Sequence, residues 1–220
     1  MNQVAAAVLW GATTLVVRAT RLSSASAEKT LAYQLAISGL LQTQIGGPPV
    51  YPYEMTEAFK PIGPSAGDAV FRRSLYTTWR RTSPPPAMLA FDAPRRAVCT
   101  AKRERTDSPL QALILLNGPQ FVEAARVLAE KLLAESKGDT SKLIESAFLH
   151  CLSRKPDAKE LSICQQLHAE QLAHFAKDAA ATKKLLEVGT KKPKAPSAEL
   201  AAAAVLAQAL MNHDECVVKR

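Results

Sequence analysis

The sequence predicts a mostly α-helical protein: an irregular multi-helix domain with a long proline-rich, loop-rich central segment. Three observations carry this. Hydrophobic residues make up 47% of the 220-residue chain but aromatics only 5%, and the apolar share is dominated by Ala and Leu, which favour helices, whereas strands prefer aromatic and β-branched residues. Helix-start signatures recur through the C-terminal half. Of the 14 prolines, 11 lie between residues 48 and 119, so they largely spare the C-terminal third. A chain of this length can bury a real core, and its 22% charged content is ordinary for a globular protein.

Residues 1–25 form an atypical N-terminal segment. The apolar run Val4–Val17 is too short to span a bilayer. Ala25-Ser26-Ala27 mimics a signal-peptidase site, yet no positive charge precedes the run, and Arg18 and Arg21 interrupt the path to that site. A start at an internal position of a longer protein is the expectation. Residues 26–188 are read as the helical domain. Its first helix runs from Ser23 to Leu41, with Leu31, Leu35, Ile37 and Leu41 as an apolar stripe and Gly46-Gly47-Pro48-Pro49 as its stop. Residues 46–107 are irregular, a length that in a compact domain marks function or partial disorder. Within them Val70–Thr77 reads as a short strand or extended piece, and Pro84-Pro85-Pro86 as stiff polyproline II.

The C-terminal half reads more clearly. Ser108-Pro109-Leu110-Gln111 is a capping box with proline at the first helical position, opening a short buried helix from Leu110 to Leu116 that Asn117-Gly118 stops. Pro119 restarts a helix through Glu135 with Phe121, Val122, Ala125, Leu128, Leu132 and Leu133 inward and Gly138 just past its end. A third spans Thr140–Leu152 with Leu143, Ile144, Ala147 and Phe148 inward. Asp157–Glu160 is another capping box opening a long helix towards Val188. Residues 189–196 read as a solvated linker, and 197–220 as a C-terminal helix, capped by Ser197, that packs back on the domain.

The formal net charge is +8, and most of it is local. Nine cations between Arg72 and Arg105 face two carboxylates, Asp92 and Glu104, leaving +7 in that window. Its residues Arg72, Arg73, Tyr76, Arg80, Arg81, Arg103 and Arg105 form a candidate surface for an anion or partner, with guanidinium groups suited to bidentate contact with carboxylate, sulfate or phosphate. The helix N-terminus at Ser108 would add unpaired N–H groups and a positive dipole end. The competing reading is structural: arginines pairing with Asp92, Glu104 and Asp107 to pin irregular backbone, with Asp92, Ser108, Pro109, Gln111 and Asn117 as a structural motif. Tyr76, Trp79 and Phe91 are too few to build a base-stacking platform, and no nucleic-acid-binding signature occurs.

Catalytic signals are thin. No G-x-S-x-G, P-loop or dinucleotide fingerprint is present, and all four histidines lie at or beyond His150. Carboxylates set among cations have lowered pKa values, which suits ion pairing rather than acid catalysis. His150, Cys151, Cys164 and His168 suggest a metal site only loosely, and the four cysteines form no C-x-x-C pair. No metal and no cofactor is expected in this chain, and an enzyme is disfavoured for it alone.

Two runs, RRSLYTTWRRTSPPPAMLAFDAP and VCTAKRERTDSPLQALILLNGPQFVEAAR, together with SGLLQTQIGGPPVYPY and AELAAAAVLAQALMNHDE, resemble the C-terminal planctomycete-specific domain of unknown function. The likeness covers roughly residues 30–216. The family form reads closer to Thr-Asn-Thr-Pro-Leu-Gln ending in Leu-Asn-Asp; here Asp107 and Ser108 replace the Asn and second Thr, and Gly118 replaces the Asp. The resemblance implies an accessory module of a large exported protein with cytochrome c-like modules upstream, this chain being a short or fragmentary copy. It implies periplasmic or extracellular placement, or the cytoplasm for a leaderless fragment. It also implies partners among the parent's upstream domains or an acidic polymer such as a glycan. Nucleic-acid binding, or a partial hydrolase or redox-associated domain needing those modules, are the alternatives.

Overall fold

The computed structural model describes residues 27–217, apart from 52, 54, 58–59, 96–97, 100, 103–105 and 107. The fold is mostly helical. Helix α1 spans Ala27–Ser38, a small antiparallel hairpin pairs β1 (Met55–Glu57) with β2 (Lys60–Ile62), and α2 covers Pro86–Ala90. The helical half follows: α3 (Pro109–Asn117), α4 (Pro119–Ser136), α5 (Thr140–Leu152), α6 (Ala158–Lys177), α7 (Ala179–Leu186), α8 (Ala198–Met211) and α9 (Asp214–Val217). Among the described residues no helix is long and apolar enough to cross a membrane.

Helix α8 is the hub. Every residue from Leu200 to Met211 is buried, which a helix apolar on all sides requires. It lies against α4 and α6; α1 packs on α4 and reaches the end of α8 through Gln34 Nε2, which donates to the Met211 carbonyl at 3.4 Å. The main core joins Leu128 and Leu132 of α4, Ile144 and Phe148 of α5, Leu167 and Phe175 of α6, and Leu206 and Leu210 of α8. Local chemistry sets the boundaries. Ser197 Oγ accepts from Leu200 N–H at 3.0 Å, and Asp157 and Glu160 close a capping box on α6. At the end of α4, Lys137 takes a left-handed conformation (φ 51°) followed by Gly138 (φ 87°), a common helix stop.

Four expectations are corrected. Helix α1 ends at Ser38 rather than Leu41: Gly39 adopts φ 78°, and the N–H groups of Leu40 and Leu41 both turn back to the Leu35 carbonyl. The piece Val70–Thr77 is no strand. It forms 3₁₀ turns at Gly67–Phe71 and Ser74–Tyr76, and meets the 42–50 segment in β fashion at the isolated bridges Gln42–Arg72 and Val50–Thr77. Val70, Phe71 and Arg72 are buried consecutively, a pattern the two-residue alternation of a strand does not produce. The long helix towards Val188 breaks at Asp178, whose backbone leaves the helical region (φ −118°, ψ 87°) while its carboxylate caps Ala181 N–H at 2.9 Å and starts α7. Finally, α3 buries Gln111 and Leu115 but leaves Leu110 54% and Leu113 48% exposed.

Candidate functional site

The central segment wraps around a buried cation. Arg72 is only 6% exposed. Its guanidinium donates to the carbonyls of Pro48 (2.9 Å), Gln44 (3.3 Å) and Gly46, and stacks over the Tyr76 ring with 3.9 Å from Cζ to the centroid. Tyr76 Oη accepts from Gly46 N–H at 3.0 Å. Gly46 and Gly47 take φ 78° and 92°, conformations glycine reaches without strain, so the loop can curl its carbonyls round the guanidinium. Arg73 and Arg81 are exposed, while Arg80 is half-buried. Arg103 and Arg105 lie outside the described residues. The structure therefore separates Arg72 and Tyr76, packed inward, from Arg73 and Arg81 on the surface.

Around the start of α3 the polar groups are tied into the fold. Asp92 (φ 57°) accepts from Thr106 N–H at 2.7 Å and Thr106 Oγ1 at 2.8 Å. The buried Gln111 donates from Nε2 to Ala90 O (2.9 Å) and Thr106 Oγ1 (3.2 Å), and its Oε1 accepts from Ser108 N–H (3.3 Å) in a capping box, with Pro109 at the first helical position. Asn117 Nδ2 donates to Leu113 O at 3.0 Å, closing the helix.

Sequence reasoning missed the deepest polar cluster. Glu123 and Arg126 on α4 are 0% and 1% exposed. The Glu123 carboxylate accepts from Tyr53 Oη, from Lys191 N–H (2.7 Å) and from Thr190 Oγ1 (3.5 Å). Arg126 donates to Glu130 Oε1 at 2.8 Å and to the Lys191 carbonyl, with Glu123 at 3.8 Å. Lys191 Nζ reaches Asp68 at 3.2 Å. Residues 189–192, read as a free linker, are thus a strap held on α4. Burial first, then the bond to Glu123, raises the Tyr53 phenol well above its ordinary pKa, so it stays protonated. The helical pattern gave no signal for it: on the 3.6-residue period Glu123 falls opposite the face of Phe121, Ala125, Leu128 and Leu132, and it is buried because Tyr53 and the strap cover it.

The remaining chemistry is structural in form. Arg154 forks onto Glu160 (2.7 Å to each oxygen) and bonds Glu215 at 2.9 Å; the Arg154 bonds hold Glu160 down to about 2. Cys151, Cys164 and Cys216 are buried and Cys99 is exposed, all as free thiols. Burial pushes Cys164 up to about 11, the opposite of nucleophile activation. His150 meets Glu135 at 3.3 Å on the surface, while His168 is buried. Among the described residues, no three of His, Cys, Asp or Glu gather closely enough to hold a metal ion.

A family model described as PSD1, a protein of unknown function (DUF1553), matches residues 11–168. The chain belongs to the PSD1 family. The match begins inside the segment that the sequence resemblance left aside and ends within α6, so the strap and α8 complete the core from beyond the matched region. Comparison with curated proteins and with solved structures finds no match.

Proposed function

We propose that this PSD1 chain is a non-catalytic docking module of a larger exported protein of planctomycete type, accompanied there by cytochrome c-like modules, and that its partner is an acidic protein surface on one of those domains. The observation that carries the reading is the outward face of α3. Leu110 and Leu113 stand in the most distinctive motif of the chain, yet both are about half exposed. Arg95 and Lys102, in the segment leading to that helix, are exposed as well. Exposed leucines on a helix preceded in the chain by exposed cations suit a partner with apolar and acidic groups, and favour a protein over a glycan. The internal ion pairs support the same reading, because the buried Glu123 and Arg126 and the half-buried Arg154 and Glu160 are spent on bonds within the chain.

The genomic frame upstream of Met1 is searched for the partner domains. Each is expressed separately and titrated calorimetrically against the full chain at low and high salt. Salt-dependent binding that Leu110→Ser with Leu113→Ser weakens, at unchanged Tm, supports the proposal. A frame without further domains, or domains that do not bind, sinks it. Retention on heparin above that of a neutral control would redirect the partner to an acidic glycan. Filter retention of DNA or RNA at physiological salt would redirect it to nucleic acid.

A further inference from the structure

A narrow slot lies between α1, the polyproline piece, α2 and the α3–α4 junction. Its free volume is about 40 Å³, and Val50, Val70, Met88, Ile114 and Phe121 supply apolar walls. A water needs roughly 10–15 Å³ on this measure, so the slot holds about three waters, or a carboxylate head with a carbon or two behind it. Five polar residues line it, Tyr53, Arg72, Ser74, Thr77 and Gln120; the Tyr53 hydroxyl is already engaged with Glu123 and Thr190, which leaves Arg72, Ser74 and Gln120 as the donors to weigh.

Each is short of a partner. The Arg72 Nε–H and the Ser74 hydroxyl are buried without a hydrogen-bond partner. Arg72 is 94% buried by its 6% exposure, and its other contacts are three backbone carbonyls and the Tyr76 ring. No carboxylate pairs with it among the described residues. A buried cation compensated only by dipoles is costly and favours a counter-anion. Gln120 stands in the first turn of the 18-residue helix α4, whose N-cap, Gly118, gives no side-chain cap. Pro119 has no N–H, and those of Phe121 and Val122 are taken by the Gly118 carbonyl at 3.0 Å each. Gln120 N–H is the donor left at the positive end of that helix.

A guanidinium Nε–H, a backbone N–H and a hydroxyl form a donor set, and apolar walls surround it. We infer that the slot binds a carboxylate bearing a short aliphatic group, with the oxygens on Arg72 Nε and Gln120 N–H and the aliphatic part against Met88 and Phe121. The chemistry is shared by a free short-chain acid and by the C-terminal carboxylate of a peptide ending in a small apolar residue. The inference does not depend on the α3 docking surface, and its test leaves that surface untouched.

The full ¹⁵N-labelled chain is titrated with propionate, with propionamide as the neutral control, and with N-acetyl-Gly-Ala as free acid and as amide, while the Arg Nε–H and Gln120 N–H resonances are followed. For so small a ligand the expected Kd is on the order of 1 mM. Saturable shifts of both resonances with the acids alone support the inference. Tighter binding of the peptide acid than of propionate assigns a peptide C-terminus, and equal binding assigns a free acid. Ala87→Phe blocks the mouth without replacing a buried side chain, and should weaken binding by about tenfold or more at unchanged Tm. No saturable shift with either acid up to about 10 mM, or equal shifts with the amides, overturns the inference.

Discussion

Replacing Glu123 by Ala tests whether the strap is held by the buried carboxylate. The side chain is 0% exposed and takes hydrogen bonds from Tyr53 Oη, Lys191 N–H and Thr190 Oγ1. Bonds to an ionised group contribute roughly 1.5–3 kcal/mol each, and donors left buried cost more than donors replaced. Two strong bonds and one long one would sum to more than that range allows for a single site, because Glu123 also regains hydration in the unfolded chain. Arg126 limits the damage, since Glu130 at 2.8 Å and the Lys191 carbonyl remain to it. A loss of about 3–5 kcal/mol is expected. Urea denaturation measures it, and amide exchange locates it: the Lys191 N–H should lose protection more than amides in α8. Glu123→Gln keeps the shape but presents an NH₂ to a ring of donors, so it should recover less than half of the loss. Tyr53→Phe combined with Glu123→Ala should cost less than the two singles added, because both remove the same bond. A stability loss under about 1 kcal/mol with unchanged exchange at Lys191 would refute the reasoning.

Gly189→Ala should destabilise the same strap, because Gly189 sits at φ 98° and an added Cβ collides with the Glu123 carboxylate; a cost of about 2 kcal/mol or more is expected, read from the denaturation midpoint. His168 tests acid sensitivity: burial holds its imidazole below the ordinary 6.5, against a smaller opposing pull from Glu199. The unfolded chain therefore binds this proton more readily, so the His168 contribution is intact above pH 6.5 and erodes as pH falls below it. A His168→Gln chain should show a flatter stability profile between pH 7 and 5, and identical slopes would contradict the assignment. Ser197→Ala removes the cap bond to Leu200 N–H at 3.0 Å and should cost about 1 kcal/mol in thermal unfolding. Gly118→Asp, which introduces the aspartate of the resembled pattern, should lose about 1 kcal/mol or more in the same assay: the Cβ would lie 2.7 Å from Ile114 O and 2.8 Å from the Phe121 ring, and a cap gains only a few tenths over glycine.

The helical half was readable because its signals are local. Asp157 with Glu160, Ser197, and the Gly138 beyond α4 each act within one turn, and the apolar spacing of Leu143, Ile144, Ala147 and Phe148 needs no knowledge of what covers it. The break at Asp178 was hidden because alanines on both sides favour a helix, and only the carboxylate's bond to Ala181 tips the balance. The exposure of Leu110 and Leu113 was hidden for the opposite reason. The unbroken apolar run Ala112–Leu116 cannot say which face a neighbouring helix covers.

The basic window shows most clearly where charge alone misleads. Arg72 and Arg73 are adjacent and chemically identical in the sequence, yet one is buried among carbonyls and the other faces water. What separates them is the pair Gly46-Gly47, some 25 residues earlier, whose positive φ angles turn the Gln44, Gly46 and Pro48 carbonyls onto one guanidinium. A run of cations can be counted from sequence; the acceptors that select one of them come from a distant loop. The same selection leaves the cations in two settings. Arg73 and Arg81 face solvent, where salt would screen any attraction they exert. Arg72 sits beside an apolar slot at a helix N-terminus, where a single carboxylate would meet a desolvated partner and be held far more strongly than at the surface.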